Sequence, residues 1–229
     1  LGFYIGHSLT GSGQRYLDPI HPRNLNNRGI ALRFNSRIDW HPTNQDNLIF
    51  NVGVHDGRFR ITNTPDQEVS GQRQRQKLAN NHQSVNGQKT WSPNTVTDIG
   101  GYHRYSRSEL LPSPNDTPIS ASQLRKHSRS GLLINLIHFV KGHTLKVGTE
   151  GQRVTPDENF SFFITDKKLA EKTNISPMAI LFDQNNPFSF RDSAIRWQGS
   201  GYVQDTFSLK PNWIINAGFR FDRTTIMVS

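Results

Sequence analysis

The chain's reactive groups are nine histidines and eighteen Asp and Glu residues, with no cysteine among its 229 residues. The missing thiol removes disulfide frameworks, thiolate metal sites and cysteine nucleophiles together. The histidines form no HExxH and no HxH pair. His138 and His143 flank one turn-like segment and His41 sits in another, places where histidine serves a turn or an interface rather than a metal. Asp and Glu are scattered, with no pair at the spacing that acid/base catalysis needs. Ser128-Arg129-Ser130-Gly131 and Gly11-Ser12-Gly13 lack the strand-to-helix turn that exposes a nucleophile. Gly199-Ser200-Gly201 falls inside a strand-like segment, where glycine marks a flat surface or a bend. We therefore expect no catalytic residue, no metal site and no cofactor, and a chain that is not an enzyme.

The net charge is +9 and the pI near 10.1, a balance found in nucleic-acid-binding domains. The distribution argues otherwise. Basic residues run along the whole chain, and the densest group, Arg125-Lys126-His127-Ser128-Arg129, is short. No zinc-finger spacing, RNP-like motif or basic helix accompanies it, so no nucleic acid is expected as a partner. Gly71-Gln72-Arg73-Gln74-Arg75-Gln76-Lys77 reads as a solvated basic loop. Hydrophobic residues make up 33% of the chain and mean hydropathy is −0.65, yet aromatics reach 10% and charged residues only 20%. Disordered chains are poor in aromatics and rich in charge, so disorder is excluded as a description of the whole. The longest apolar stretch, Gly131 to Val140, is interrupted by Asn135 and His138 and is far short of the ~18 residues of a membrane helix.

The elements that carry these residues alternate with period two. Ile30, Leu32, Phe34, Ser36, Ile38 and Trp40 face one way, against Ala31, Arg33, Asn35, Arg37 and Asp39. A helix would scatter the two arginines among the apolar positions, whereas a strand separates them. Leu48, Phe50, Val52 and Val54 repeat the pattern, as do Leu145 and Val147 against Lys146 and Glu150. Ile215, Ala217, Phe219 and Phe221 oppose Asn216, Gly218, Arg220 and Asp222. Weaker alternation spans Leu1–Leu9, Gln83–Trp91, Thr95–Arg107, Arg129–Phe139 and Ile195–Phe207. The sum is about nine strands and no amphipathic helix, with a short polar helical stretch admissible near Lys167–Lys172.

Short and long connections take turns. His41–Asn47, Ser92–Asn94, Val140–His143 and Ser208–Asn212 are tight and rich in Pro, Gly and Asn. Thr10–Gly29, Thr62–His82, Ser108–Ser128 and Val154–Ala194 are long and polar. In an up-and-down meander this places all short turns on one rim and all long loops on the other, as in a transmembrane barrel. Trp40, Trp91 and Trp213 all fall beside short turns and are candidates for an aromatic girdle at one membrane boundary, while Trp197 and Tyr105 lie toward the long-loop rim. With an apolar exterior in lipid, Arg33, Asn35, Arg37, Asp39, Lys146, Glu150, Asn216, Arg220 and Asp222 become candidate lumen-facing residues. The expected fold is all-β: an antiparallel up-and-down transmembrane barrel segment of about nine strands of a larger barrel.

Three segments then resemble one family. Gly201-Tyr202-Val203-Gln204-Asp205-Thr206-Phe207, a Lys-Pro-Asn turn, and Trp213-Ile214-Ile215-Asn216-Ala217-Gly218-Phe219-Arg220-Phe221-Asp222 resemble a hairpin of TonB-dependent outer-membrane receptors. His143–Glu150 is similar to another recurrent strand of those barrels, and Asn35–Thr43 followed by Asp46 to one of their turns. The nearest subgroup is the Oar-like receptors with an N-terminal carboxypeptidase-regulatory-like domain. The resemblance implies a barrel of about 22 strands with a plugged lumen. It also implies residence in the outer membrane of a Gram-negative-type envelope, with outer-membrane lipid and an unknown solute as partners. Residues 1–229 would be an internal part of one barrel domain, with plug domain, signal peptide and barrel C-terminus absent. Contact with the TonB complex would then pass only through the missing N-terminal region. The expected function is uptake of a large or scarce solute of siderophore, oligosaccharide or peptide class. A passive porin or adhesin barrel would share the alternation, and an outer-membrane protease or phospholipase would need reactive groups at the long-loop rim.

Overall fold

The computed structural model describes residues 1–12, 25–210 and 212–228. They form nine strands: β1 (Gly2–Ser12), β2 (Gly29–Thr43), β3 (Asp46–Arg60), β4 (Arg75–Ser92), β5 (Thr95–Leu111), β6 (Ile119–Val140), β7 (His143–Ile164), β8 (Phe188–Lys210) and β9 (Trp213–Val228). They lie in one antiparallel sheet in the order of the sequence, from β1 at one edge to β9 at the other. No second layer of sheet or helix covers either face among the described residues. Leu25, Val154, Ile164 and Ala170 are the buried hydrophobic side chains there, while Phe34, Val85, Leu132, Val147 and Phe219 stay exposed. This excludes a soluble β-sandwich, whose two inner faces would hide such residues against each other.

Register sorts the side chains. Ile38 pairs with Phe3 and Phe50, Phe34 with Val54, and Leu136 with Val147, which in turn pairs with Val203. Val203 pairs with Phe219, and directly paired residues share a face, so one apolar surface runs from β1 to β9. The opposite face carries Arg37 beside Tyr4 and Asn51, Glu150 beside Leu133 and Ser200, and Arg220 beside Tyr202.

The short connections are residues 44–45, 93–94 and 141–142, and β8 ends at Lys210 shortly before β9 begins at Trp213. Lys141 and Gly142 both have positive φ, 38° and 85°, the sign that a type I′ two-residue hairpin turn needs at both positions. Pro42 lies inside β2, at the register shift between Trp40 and Thr43, where its missing N–H interrupts no regular ladder.

The strands run further than alternation predicts. β4 begins at Arg75, β6 at Ile119 and β8 at Phe188, and β7 continues to Ile164. The long connections accordingly shrink to residues 61–74, 112–118 and 165–187. The reason lies in the side chains: Ser120, Ser122, Gln123, Arg125, Lys126 and His127 put polar groups on both faces of β6, and period-two hydropathy is silent there. β8 has 23 residues, about twice the ~9–11 that cross a bilayer, so its upper half projects beyond one.

These connections are built rather than loose. α1 (Pro65–Val69) has Thr64 as its cap, in a capping box with Gln67, and Pro65 opens its first turn. α2 occupies Lys167–Lys172, where the polar helical stretch is expected, and Asp166 accepts the Leu169 N–H at 3.0 Å. Gly71–Gln74 is not free loop. Buried Asn63 donates to the Gln72 carbonyl at 2.8 Å, Gln74 donates to Asp116 at 3.0 Å, and Gln72 accepts from the Thr117 N–H at 3.2 Å. Phe162, Phe182 and Phe188 pack edge and tilt within 5.6 Å of one another over the 165–187 connection.

Candidate functional site

The register places every candidate polar residue on one face. Arg33, Asn35, Arg37 and Asp39 come from β2, Lys146 and Glu150 from β7, and Asn216, Arg220 and Asp222 from β9. They do not converge on one point, because four strands separate β2 from β7. Instead they mark the two ends of a polar wall whose middle is β4 to β6. Trp40, Trp91 and Trp213 lie on the opposite face near the short turns. Trp91 donates from its indole N–H to Thr97 at 3.0 Å and stacks under Lys89, whose Nζ is 5.6 Å from the ring centre.

Much of the wall is satisfied by its own partners. Arg37 grips Asp39 at 2.8 Å, and Arg220 grips Asp222 at 2.8 Å, each from two positions along the same strand. Such exposed pairs add little stability and chiefly fix side-chain direction. Higher up, Arg125 meets Glu158 at 2.8 Å, and Gln123 donates to the same carboxylate at 2.8 Å. The Arg125 guanidinium chiefly holds Glu158 below the usual carboxylate range; burial opposes it, and the Gln123 amide adds a weaker pull in the same direction as the guanidinium.

The middle of the wall is a hydrogen-bonded chain that spacing along the sequence does not reveal. Tyr102 donates toward Glu150 at 3.0 Å and toward Gln152 at 2.9 Å. Arg129 donates to Gln152 and lies over the Tyr102 ring, 5.7 Å from its centre. Gln152 passes the chain to Gln198 at 2.6 Å. Tyr202 donates to Asn135 at 3.1 Å. The two tyrosines lie flat across glycines of neighbouring strands. A Cβ on Gly131 would meet the Tyr102 ring at 2.6 Å, and one on Gly148 would collide with Tyr202 and Asn135. Alternation within Thr95–Arg107 and Arg129–Phe139 assigns these residues a face. Only the pairing Tyr102↔Gly131↔Gln152 brings them together.

Among the described residues no three His, Cys, Asp or Glu side chains group as metal ligands. An apolar sheet face with tryptophans along one rim and a polar, ion-paired face behind it is the geometry of a membrane barrel wall. Residues 10–228 match the family model described as "TonB dependent receptor-like, beta-barrel". The chain belongs to the TonB-dependent receptor family.

No curated protein matches the sequence significantly. Solved structures of TonB-dependent receptors share the fold. The ferric yersiniabactin uptake receptor FyuA of Yersinia pestis superposes with a TM-score of 0.66 at 12% identity, over 87% of this chain and 30% of its own. The ferripyoverdine receptor of the outer membrane of Pseudomonas aeruginosa gives 0.63 at 11%, over 99% and 36%. The copper transporter OprC gives 0.62 at 14%, over 89% and 30%. The chain thus spans about a third of the length of these receptors. Its open nine-stranded sheet is part of a TonB-dependent receptor barrel of the Gram-negative outer membrane.

Proposed function

We propose that this chain is one sector of the wall of an outer-membrane importer. Its apolar face lies in lipid, and its polar face looks into the lumen through which a scarce or large solute enters. The observation that carries the reading is the segregation of the two faces on a sheet that nothing else covers. Arg33, Asn35, Arg37, Asp39, Lys146, Glu150, Asn216, Arg220 and Asp222 then line the lumen. Trp40, Trp91 and Trp213 form part of the girdle at the periplasmic boundary, beneath long connections that face outward.

The solute belongs to the siderophore, oligosaccharide or peptide class, and metal uptake in the structural neighbours supports the first. We read the subgroup as Oar-like from the resemblance of the Gly201–Asp222 hairpin, His143–Glu150 and Asn35–Thr43 taken together. Energy for release comes from the TonB complex through a region outside these 229 residues.

This chain has no cysteine, so in a receptor freed of any cysteine elsewhere, single cysteines report cleanly. Introduced at Phe34, Val85, Val147 and Phe219 in the receptor, they should react with lipid-soluble maleimides. At Asn35, Ser84, Lys146 and Arg220 they should react with charged, water-soluble ones. The reverse pattern would turn the wall inside out and end the proposal.

A further inference from the structure

Two adjacent rows of the polar face differ from the rest of it. The first crosses the sheet as Asn35, Gly53, His82, Arg104, Arg129, Val154 and Arg196, each paired with the next. The second runs Arg33, His55, Asn80, Ser106 and His127. Together they hold four arginines and three histidines, and neither holds a carboxylate.

Elsewhere on this face arginine is neutralised in place, as in Arg37–Asp39, Arg125–Glu158 and Arg220–Asp222. Among the described residues, Arg33, Arg104, Arg129 and Arg196 have no such ion pair. Arg104 and Arg129 stand directly opposite each other on β5 and β6, an arrangement of like charges that disfavours the sheet. The Nε of Arg196 is buried without a hydrogen-bond partner among the described residues. A hollow of about 490 Å³ opens over the centre of the two rows, lined by Asn80, His82, Arg104, Ser106, His127 and Arg129 among others.

The level of the rows says from which side an occupant comes. Behind them on β4 to β6 the lipid-side face is already polar, with Gln83, His103, Tyr105, Ser128 and Ser130. The hollow therefore sits beyond the apolar band, toward the long connections. That is where a solute arriving from outside is first held, before it reaches the paired residues lower on the wall.

We propose that this hollow is a binding site for an anionic solute. Arg104 and Arg129 present planar guanidinium forks to carboxylate or phosphate-like oxygens, and His82, His127 and Ser106 offer further hydrogen bonds. The bound anion relieves the Arg104–Arg129 repulsion, so occupancy and the stability of this part of the wall are linked. The site rests on the polar face being the lumen, and it narrows the solute to one carrying clustered negative charge.

The test uses the intact receptor in detergent at low ionic strength, with citrate and pyrophosphate as anionic probes and maltotriose as the neutral one. Titration calorimetry should detect both anions and not the sugar. Binding should weaken as salt is raised. The double substitution Arg104→Gln/Arg129→Gln should weaken it tenfold or more, whereas Lys167→Gln on exposed α2 should leave it unchanged. Each anion should raise the melting temperature of the native receptor and not that of the double variant, whose own transition reports that it is folded.

Absence of anion binding, equal binding of maltotriose, or binding unaffected by the double substitution would overturn the proposal. The maleimide pattern at Phe34 and Asn35 is independent of every one of these results, so a misassigned face and a missing anion site are told apart.

Discussion

Placing an arginine on alternate residues of β2 separates the lipid face from the lumen face by energy rather than by inspection. Phe34 is the informative position. It is 39% exposed and pairs with His7 on β1 and Val54 on β3. Six residues separate it from Trp40, which at ~3.3 Å per residue is about 20 Å along the strand. A strand tilt of ~40° brings this to about 15 Å above the tryptophan rim, near the middle of an apolar band ~25 Å tall. Phe34→Arg should therefore cost roughly 2–4 kcal/mol, a factor of about 30 to 900 in the folding equilibrium.

Neighbouring positions give the depth profile. Ile30 lies four residues higher, at the outer edge of the band, and Ile30→Arg should cost only about 0–1 kcal/mol. Asn35 points the other way and is exposed on the polar face, so Asn35→Arg should stay within about 0.5 kcal/mol. The assay is urea-dependent folding of the receptor into phosphatidylcholine vesicles, followed by tryptophan fluorescence. Equal cost at 34 and 35, or a larger cost at 35, would refute the lipid-facing assignment of the whole apolar surface, because register ties that surface to Phe34.

Other expectations follow from the same wall. Gly131→Ala should push Tyr102 off its seat and break its bonds to Glu150 and Gln152, lowering stability with no change in net charge; an unshifted melting transition would deny the network a structural role. Epitope tags at residues 112–118 or 183–186 should be accessible on intact cells, and tags at 44–45 or 93–94 only after permeabilisation; surface labelling of the second set would invert the topology. Glu158 is held below the usual carboxylate range in the folded state, so the Arg125–Glu158 contribution is complete above that range and fades as pH falls through the lowered value. Arg125→Gln should return the Glu158 titration, followed by carboxyl NMR, toward that of a free glutamate. Expressed alone, residues 1–229 should sediment as aggregate without detergent, since edges β1 and β9 and the apolar face all lack cover. A sharp monomeric boundary with cooperative unfolding would contradict this.

How much of this was legible in the residues depends on where each strand stands relative to lipid. Ile30–Trp40 and Ile215–Asp222 cross the apolar band, and there the solvent difference between the two faces writes alternation directly into the sequence. The nine strands, the sorted turns and the shared face of Arg37, Glu150 and Arg220 all come from that signal. Above the band the signal ends, since both faces of Ser120–Ser128 meet water and nothing selects apolar residues on one of them. The structure continues the ladder there on backbone hydrogen bonds, so what reads as a long loop is strand.

The polar network was illegible for a different reason. Alternation assigns Tyr102, Arg104, Arg129 and Gln152 a face but not neighbours, and neighbours depend on register across strands. Sliding β6 by two residues against β5 would keep every side chain on its present face while pairing Arg104 with Gly131 or His127 in place of Arg129. The hydropathy pattern would hardly register such a slip, yet it would separate the like charges and lift the Tyr102 ring from Gly131. The Tyr102–Gly131 contact opposes it, because the ring needs a residue without a side chain beneath it. A register this specified holds Arg104 and Arg129 together despite their repulsion. That cost is tolerable to the sheet where function supplies the compensating charge from outside.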